Sequence, residues 1–285
     1  MNAVKRDPVE VGAYVLSPEA YRLSSFILFG ALILICVILT VAFTDIPENT
    51  ELVRAFAYNN VCVYLDYPTA AHIAPTLWIF FLVPWMGYSL LWLTRCRSRV
   101  QPQGPVSSHV YRFLQVCTAF EVFSAAHFVQ CFANKPHDLP YPRGLKMHTY
   151  PFTLLVIALW IMSCKSAWWF TNHEWDGSRR LKAAVWLFEG VYFFVTLGKV
   201  LIHINLFLDD ALWVANQAVI FGKLVDAAFM VSATLVVPFA TWLVQYRDGD
   251  RICIKLHVEH IIEGEFDLRG RRVNRVGIEY QQDLG

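Results

Sequence analysis

The chain has 285 residues, of which 56% are hydrophobic, 15% aromatic and only 16% charged, and its formal net charge is +1. A soluble domain carries about 25% charge, so this composition, with a mean hydropathy of +0.41, excludes an ordinary water-soluble globule and points to a bilayer. The balanced charge leaves no basic surface to neutralise phosphates, which excludes nucleic acid as a partner.

Residues 1–21 are mixed and polar and include Lys5, Arg6, Pro8 and Pro18. They lack the apolar core of a secretory signal and the Arg-rich, acid-poor character of a transit peptide. An N-terminal arm is the expectation. Six apolar stretches follow at 22–44, 70–94, 109–132, 148–170, 181–208 and 213–245, each reaching the ~20 residues a helix needs to cross ~30 Å of hydrocarbon. They predict an all-α membrane protein, a six-transmembrane-helix bundle over 22–246. Pro75 and Pro84 should bend the second span, and the long last two spans should tilt, project an end from the membrane or break near Pro238.

The connections sort by charge. Arg22, Arg95, Arg97, Arg99, Arg179, Arg180, Lys182, Arg247 and Arg251 gather on one side, while Asp45, Glu48, Glu51, Asp66, Asp138, Asp209 and Asp210 dominate the other. The excess of Lys and Arg on cytoplasmic-type loops then places both termini on the positive, inner side. Seven cysteines show no Cys-x-x-Cys spacing. Cys62 and Cys131 fall together on the outer side, the pair that this topology lets form a disulfide in an oxidising compartment.

The fifth span carries Glu189, Tyr192, Thr196, Lys199 and His203 at steps of three, four, three and four. At about 100° per residue they share one helix face. An ionisable group at mid-bilayer costs roughly 2.5–3.5 kcal/mol on insertion scales, so this face must turn to protein or water. Depth along the helices places Glu121, Lys199, Lys223 and Asp226 near the midplane. Lys223 and Asp226, three apart, should pair along their own helix, leaving Glu121 to Lys199. Lys165 and Glu189 repeat the arrangement nearer the inner surface. These six residues form the expected intramembrane charge network, whose bland role is to specify which helices touch.

His72, His127, His148 and His203 all come to the outer side, as an axial haem pair or a metal site would require, with Asp209, Asp210 and Glu121 as accessory carboxylates. Glu121, Ser124 and His127 at three-residue steps loosely suggest a metal-dependent membrane hydrolase, but they drift over a third of the helix. No His-Glu-x-x-His, Gly-x-Ser-x-Gly or phosphate loop is present.

After the last span, Ile252, Ile254 and Leu256 alternate with polar neighbours. Residues 267–272 read as a turn, and Val273, Val276, Ile278 and Tyr280 alternate again. Residues 247–285 are thus expected to form a β-hairpin-like docking extension, which needs a partner because two strands alone are marginal in water. The expected function is a non-catalytic, multi-pass accessory subunit of a large membrane complex. It would grip other subunits through its N- and C-terminal arms and hold phospholipids but no cofactor. The absence of any Asn-x-Ser/Thr acceptor points away from a glycosylated surface and toward an energy-transducing membrane such as the mitochondrial inner membrane, in a respiratory or ATP-synthesising assembly. The competing expectations are a haem- or metal-binding oxidoreductase on the four histidines and a proton-coupled transporter on Glu121, Lys199 and Asp226.

Overall fold

The computed structural model describes residues 9–98, 100, 106–173, 179–207, 216–241, 252–258 and 276–281. Lys5, Arg6, Pro8, Arg99, Asp209, Asp210, Arg247, Arg251, Val273 and the turn expected at 267–272 lie outside the described residues.

Strand β1 (Val9–Leu16) leads into α1 (Pro18–Phe43). The junction is an N-cap: the Ser17 hydroxyl accepts from the Ala20 N–H at 3.4 Å, with Pro18 opening the helix and Glu19 in its first turn. Two short helices, α2 (Glu51–Phe56) and α3 (Val63–Asp66), occupy the first long connection. The remaining spans are α4 (Pro68–Ser98), α5 (Ser108–His127) with its continuation α6 (Val129–Ala133), α7 (Arg143–His173), α8 (Arg179–Phe207) and α9 (Asn216–Val231). Among the described residues, six helices are long and apolar enough to cross a membrane, the last running to Thr241, and the chain is read as an integral membrane protein.

The spans close a ring in chain order. α1 packs on α4, α4 on α5, α5 on α7, α7 on α8 and α8 on α9, and the segment after α9 returns to α1. Neighbours alternate in direction. Thr44 near the end of α1 shares a hydrogen bond with Thr69 at the start of α4, while Arg95 at the end of α4 meets Glu19 at the start of α1. The end holding Glu19 and Arg95 is called proximal here, and the end holding α2 and α3 distal.

Lipid supplies no hydrophobic drive for helix association, so close packing and polar contacts must hold such a ring. In α4 the side chains Trp78, Phe81, Trp85, Tyr88 and Trp92 recur at three- and four-residue steps and are all fully buried. Trp78 anchors the stack, with its ring 4.3 Å from Phe81 and 4.4 Å from Phe128, and its Nε1 donates to the Ala125 carbonyl at 3.0 Å. The opposite face, including Ile79, Phe80, Val83 and Leu90, is exposed, as a lipid-facing surface would be.

Pro75 and Pro84 sit inside α4 without ending it. Pro238 acts one turn earlier than expected. Its ring excludes the carbonyl four residues back, at Thr234, and the chain responds by widening into a π-helical turn at Ser232–Val236, where the Val237 N–H donates to the Ser232 carbonyl.

Strand β2 (Ile252–Val258) pairs antiparallel with β3 (Val276–Gln281) on one side and with β1 on the other, in the order β1-β2-β3. The strand partner of the C-terminal segment is therefore the chain's own N-terminal segment.

Candidate functional site

All five members of the α8 stripe, Glu189, Tyr192, Thr196, Lys199 and His203, are buried. They form a polar spine through the ring, from Glu189 on the proximal side to His203 on the distal side. Over 14 residues a helix rises about 21 Å, so the spine crosses most of a hydrocarbon layer.

The charges along it are paired, with different partners from those the sequence suggests. Lys165 Nζ lies 2.8 Å from Glu121 Oε2 and donates to the Thr118 hydroxyl at 2.7 Å. The expected Glu121–Lys199 pair is replaced because α5 and α8 each pack on α7, which supplies the cation itself. Side chains lean toward the N-terminus of their own helix. Lys165 on α7 therefore reaches distally and Glu121 on α5 reaches proximally, and the two close a gap that backbone depth alone suggests. The expected Lys165–Glu189 pair fails for the same reason, since Lys165 faces α5.

Glu189 instead accepts from the Ser163 hydroxyl at 2.6 Å and the Cys164 thiol at 3.5 Å, two groups on the α7 face turned to α8. Lys199 is bonded to Asp226 across the α8–α9 interface. The Tyr58 hydroxyl donates to the other oxygen of Asp226 at 2.9 Å. Burial first, and then the Asp226 carboxylate, push the Tyr58 pKa above its usual value, so the phenol stays a donor. Lys223 is not the partner of Asp226. Asp226 is committed to Lys199 on α8 and to Tyr58, and Lys223 Nζ lies 6.0 Å from the centre of the Tyr58 ring. Tyr58, Lys199, Lys223 and Asp226 line a distal cavity of about 210 Å³.

A further cluster lies at the proximal end. Glu19 is held by Arg22 at 3.0 Å and by Arg95 at 3.2 Å, and the Arg95 guanidinium lies 4.6 Å from the Trp169 ring centre. All three charged groups are buried. Sequence reasoning treats Arg22 and Arg95 as flanking charges at the membrane surface and does not single out Glu19. The usable signal is periodicity, since Arg95 extends the α4 stripe of Trp78, Phe81, Trp85, Tyr88 and Trp92 by one more three-residue step.

The four outer-side histidines have separate environments. His72 is exposed on α4. His127 stacks on Phe123 at 5.2 Å and meets Tyr150 edge-on at 5.7 Å. His203 Nδ1 is 2.8 Å from Thr153 Oγ1, whose own proton goes to the Thr149 carbonyl at 2.9 Å, so this nitrogen is the donor. His148 Nδ1 is 3.1 Å from both the Cys131 and Asn134 carbonyls, two acceptors that require an N–H. Its Nε2 lies 3.6 Å from Asp66 Oδ1. Among the described residues, no group of three or more His, Cys, Asp or Glu side chains is arranged to hold a metal ion.

Asp66 sits just before α4, and burial lifts its pKa to about 6, against the opposing pull of His148, His137 and Lys135. Cys62 and Cys131 are buried free thiols. Cys131 Sγ donates to the His148 carbonyl at 3.1 Å, and burial pushes the Cys62 thiol up to about 12, which keeps it protonated and unreactive. Glu121, Ser124 and His127 do not act as a unit: the first two are buried and Glu121 is committed to Lys165, whereas His127 is partly exposed among rings.

No protein-family model matches the chain, and no curated protein or solved structure matches it.

Proposed function

We infer that the protein is a non-catalytic, multi-pass subunit of a larger membrane assembly. Its interior charges set helix packing, and its two ends together form a docking platform. The observation that carries this reading is the pairing pattern: Glu19 with Arg95 joins α1 to α4, Glu121 with Lys165 joins α5 to α7, and Lys199 with Asp226 joins α8 to α9. Among the described residues, three of the ring's interfaces are each joined by an ion pair. A buried pair adds little net stability but strongly penalises any arrangement that separates it, which is the property of a scaffold. A proton relay needs an acid with room to gain and lose its proton, and these acids are engaged.

The terminal sheet supports the second half of the proposal. The run of β1 into α1 and its pairing with β2 support the reading that both chain ends lie on one side of the bilayer, the side marked by Arg22, Arg95, Arg97, Arg179 and Arg180. Its outer strands β1 and β3 offer backbone donors and acceptors to a strand from a partner subunit. The mitochondrial inner membrane, in a respiratory or ATP-synthesising complex, is the proposed setting.

Solubilisation in a mild detergent followed by native electrophoresis and mass spectrometry tests the reading. The full chain should co-migrate with a complex of several other subunits, and a chain truncated after residue 246 should leave that complex while retaining its helical content. Migration of the full chain alone, as a monomer or small homo-oligomer, would overturn it.

A further inference from the structure

The ring does not close evenly along its length. In the distal half α8 and α9 meet tightly: a Cβ on Gly198 would lie 3.2 Å from Val225 Cγ2. Toward the proximal end a cavity of about 470 Å³ lies between them, lined from α1, α7, α8 and residues 236–240, within the ~300–1,000 Å³ typical of small-molecule sites. The π-helical turn at Ser232–Val236 leads into this stretch and packs on α1 through Gly30 and Thr234.

Its walls are sorted by chemistry. The inner wall carries Glu19, Arg22, Ser163, Ser166 and Glu189. The remainder is apolar and includes Phe188, Val185 and Val237. Leu181 and Phe239, also on the lining, are 42% and 59% exposed. Apolar, exposed side chains at this rim between α8 and residues 236–240 fit an opening toward the bilayer rather than toward water.

We propose that this cavity is a binding site for a single-chain, uncharged amphiphile with a hydroxyl head, which enters from the bilayer and sets its hydroxyl between Glu189 and Arg22. The sideways opening selects a ligand that partitions into lipid, and the volume selects one chain rather than two. The head follows from the groups at the inner wall. Glu189 accepts only from Ser163 and Cys164 among the described contacts, and a carboxylate offers about four acceptor positions. Arg22 turns its Nε to Glu19 and carries five N–H donors in all. A hydroxyl donates to the first and accepts from the second. The inner wall already holds both signs of charge in Glu19, Arg22 and Glu189, and a carboxylate, phosphate or ammonium head would add one more buried charge beside them, which a hydroxyl does not.

The test uses the full chain in phosphatidylcholine nanodiscs and hexadecanol bearing a photoactivatable diazirine. Labelling should saturate, fall at least tenfold with excess unlabelled hexadecanol, and map to peptides containing 181–189 or 236–240. Ala184→Trp, at an exposed position on the cavity lining, should cut the specific labelling about tenfold. Glu189→Gln, which keeps an acceptor for Ser163, should cut it severalfold, and Lys223→Ala in the distal cavity should leave it unchanged. Chromatographic profiles like that of the parent protein establish that the variants are folded. Labelling that does not saturate, that spreads over all lipid-facing helices, or that persists in Ala184→Trp would overturn the proposal. Competition by hexadecanoic acid as effective as that by hexadecanol would overturn its uncharged head, and equal competition by a two-chain diacylglycerol would overturn the single chain.

Discussion

Removing the cation of the α5–α7 pair is the sharpest probe of how the ring is held. In Lys165→Met the Glu121 carboxylate loses the ammonium 2.8 Å away and remains fully buried, with its Oε1 already lacking any hydrogen-bond partner. Breaking one side of a buried pair costs about 3–5 kcal/mol. For a bundle of this size each kcal/mol moves the melting midpoint by about 2–4 °C, so a fall on the order of 10 °C is expected. The double variant Glu121→Leu/Lys165→Met removes both charges and should recover to within about 1 kcal/mol of the parent, because exchanging a buried pair for apolar groups is near neutral. Tryptophan fluorescence in detergent measures both, since Trp92 lies 4.4 Å from the Lys165 ammonium. A single variant as stable as the parent, or a double variant whose losses simply add, would refute the claim that this pair is a coupled packing element.

Asp66 makes stability depend on pH. Its folded pKa of about 6 stands above the ordinary carboxyl value of 3.8, so its protonated form is the one the fold favours. Its contribution is complete below pH ~4 and is lost as the pH rises through ~6, a change on the order of 3 kcal/mol. Melting scans between pH 4 and 7 should show this decline, and Asp66→Asn should flatten it. Tyr58→Phe removes a hydrogen bond to the charged Asp226 and should cost about 1.5–3 kcal/mol, read as a drop in melting midpoint; no change would remove Tyr58 from the distal site. The two α8 glycines should respond with opposite signs. Gly190→Ala meets open space and gains about 0.5–1 kcal/mol of helix preference. Gly198→Ala presses on the stiff, β-branched Val225 and should lower the midpoint.

Membrane composition, helix number and the inward turn of the α8 stripe were legible because each depends on local periodicity. Pairing was not, because it depends on which helices are neighbours. Glu121 and Lys199 occupy compatible depths, yet α7 interposes Lys165. Position along a span also misled. Glu19, Arg22 and Arg95 lie near helix ends, where charges normally reach the interface, but here they are folded into the core. Strand β1 was hidden by its own irregularity. Its pairing with β2 shifts register between Glu10 and Gly12, and a bulge of that kind breaks the period-two signal that exposes β2 and β3.

The π-helical turn falls at one of the ring interfaces that no ion pair joins among the described residues. Ion pairs join α1 to α4, α5 to α7 and α8 to α9, while the return from α9 to α1 passes through the π-helical turn that Pro238 forces. The residues that end and follow it, Val236, Val237, Phe239 and Ala240, line the proximal cavity, and a π turn holds one residue more than an α turn, so removing it re-aims these side chains. Restoring the helix with Pro238→Ala should therefore reshape the proximal cavity while leaving the Lys199–Asp226 pair intact. That separates the two roles assigned to the bundle: hexadecanol labelling should fall, and co-migration with the assembly should not.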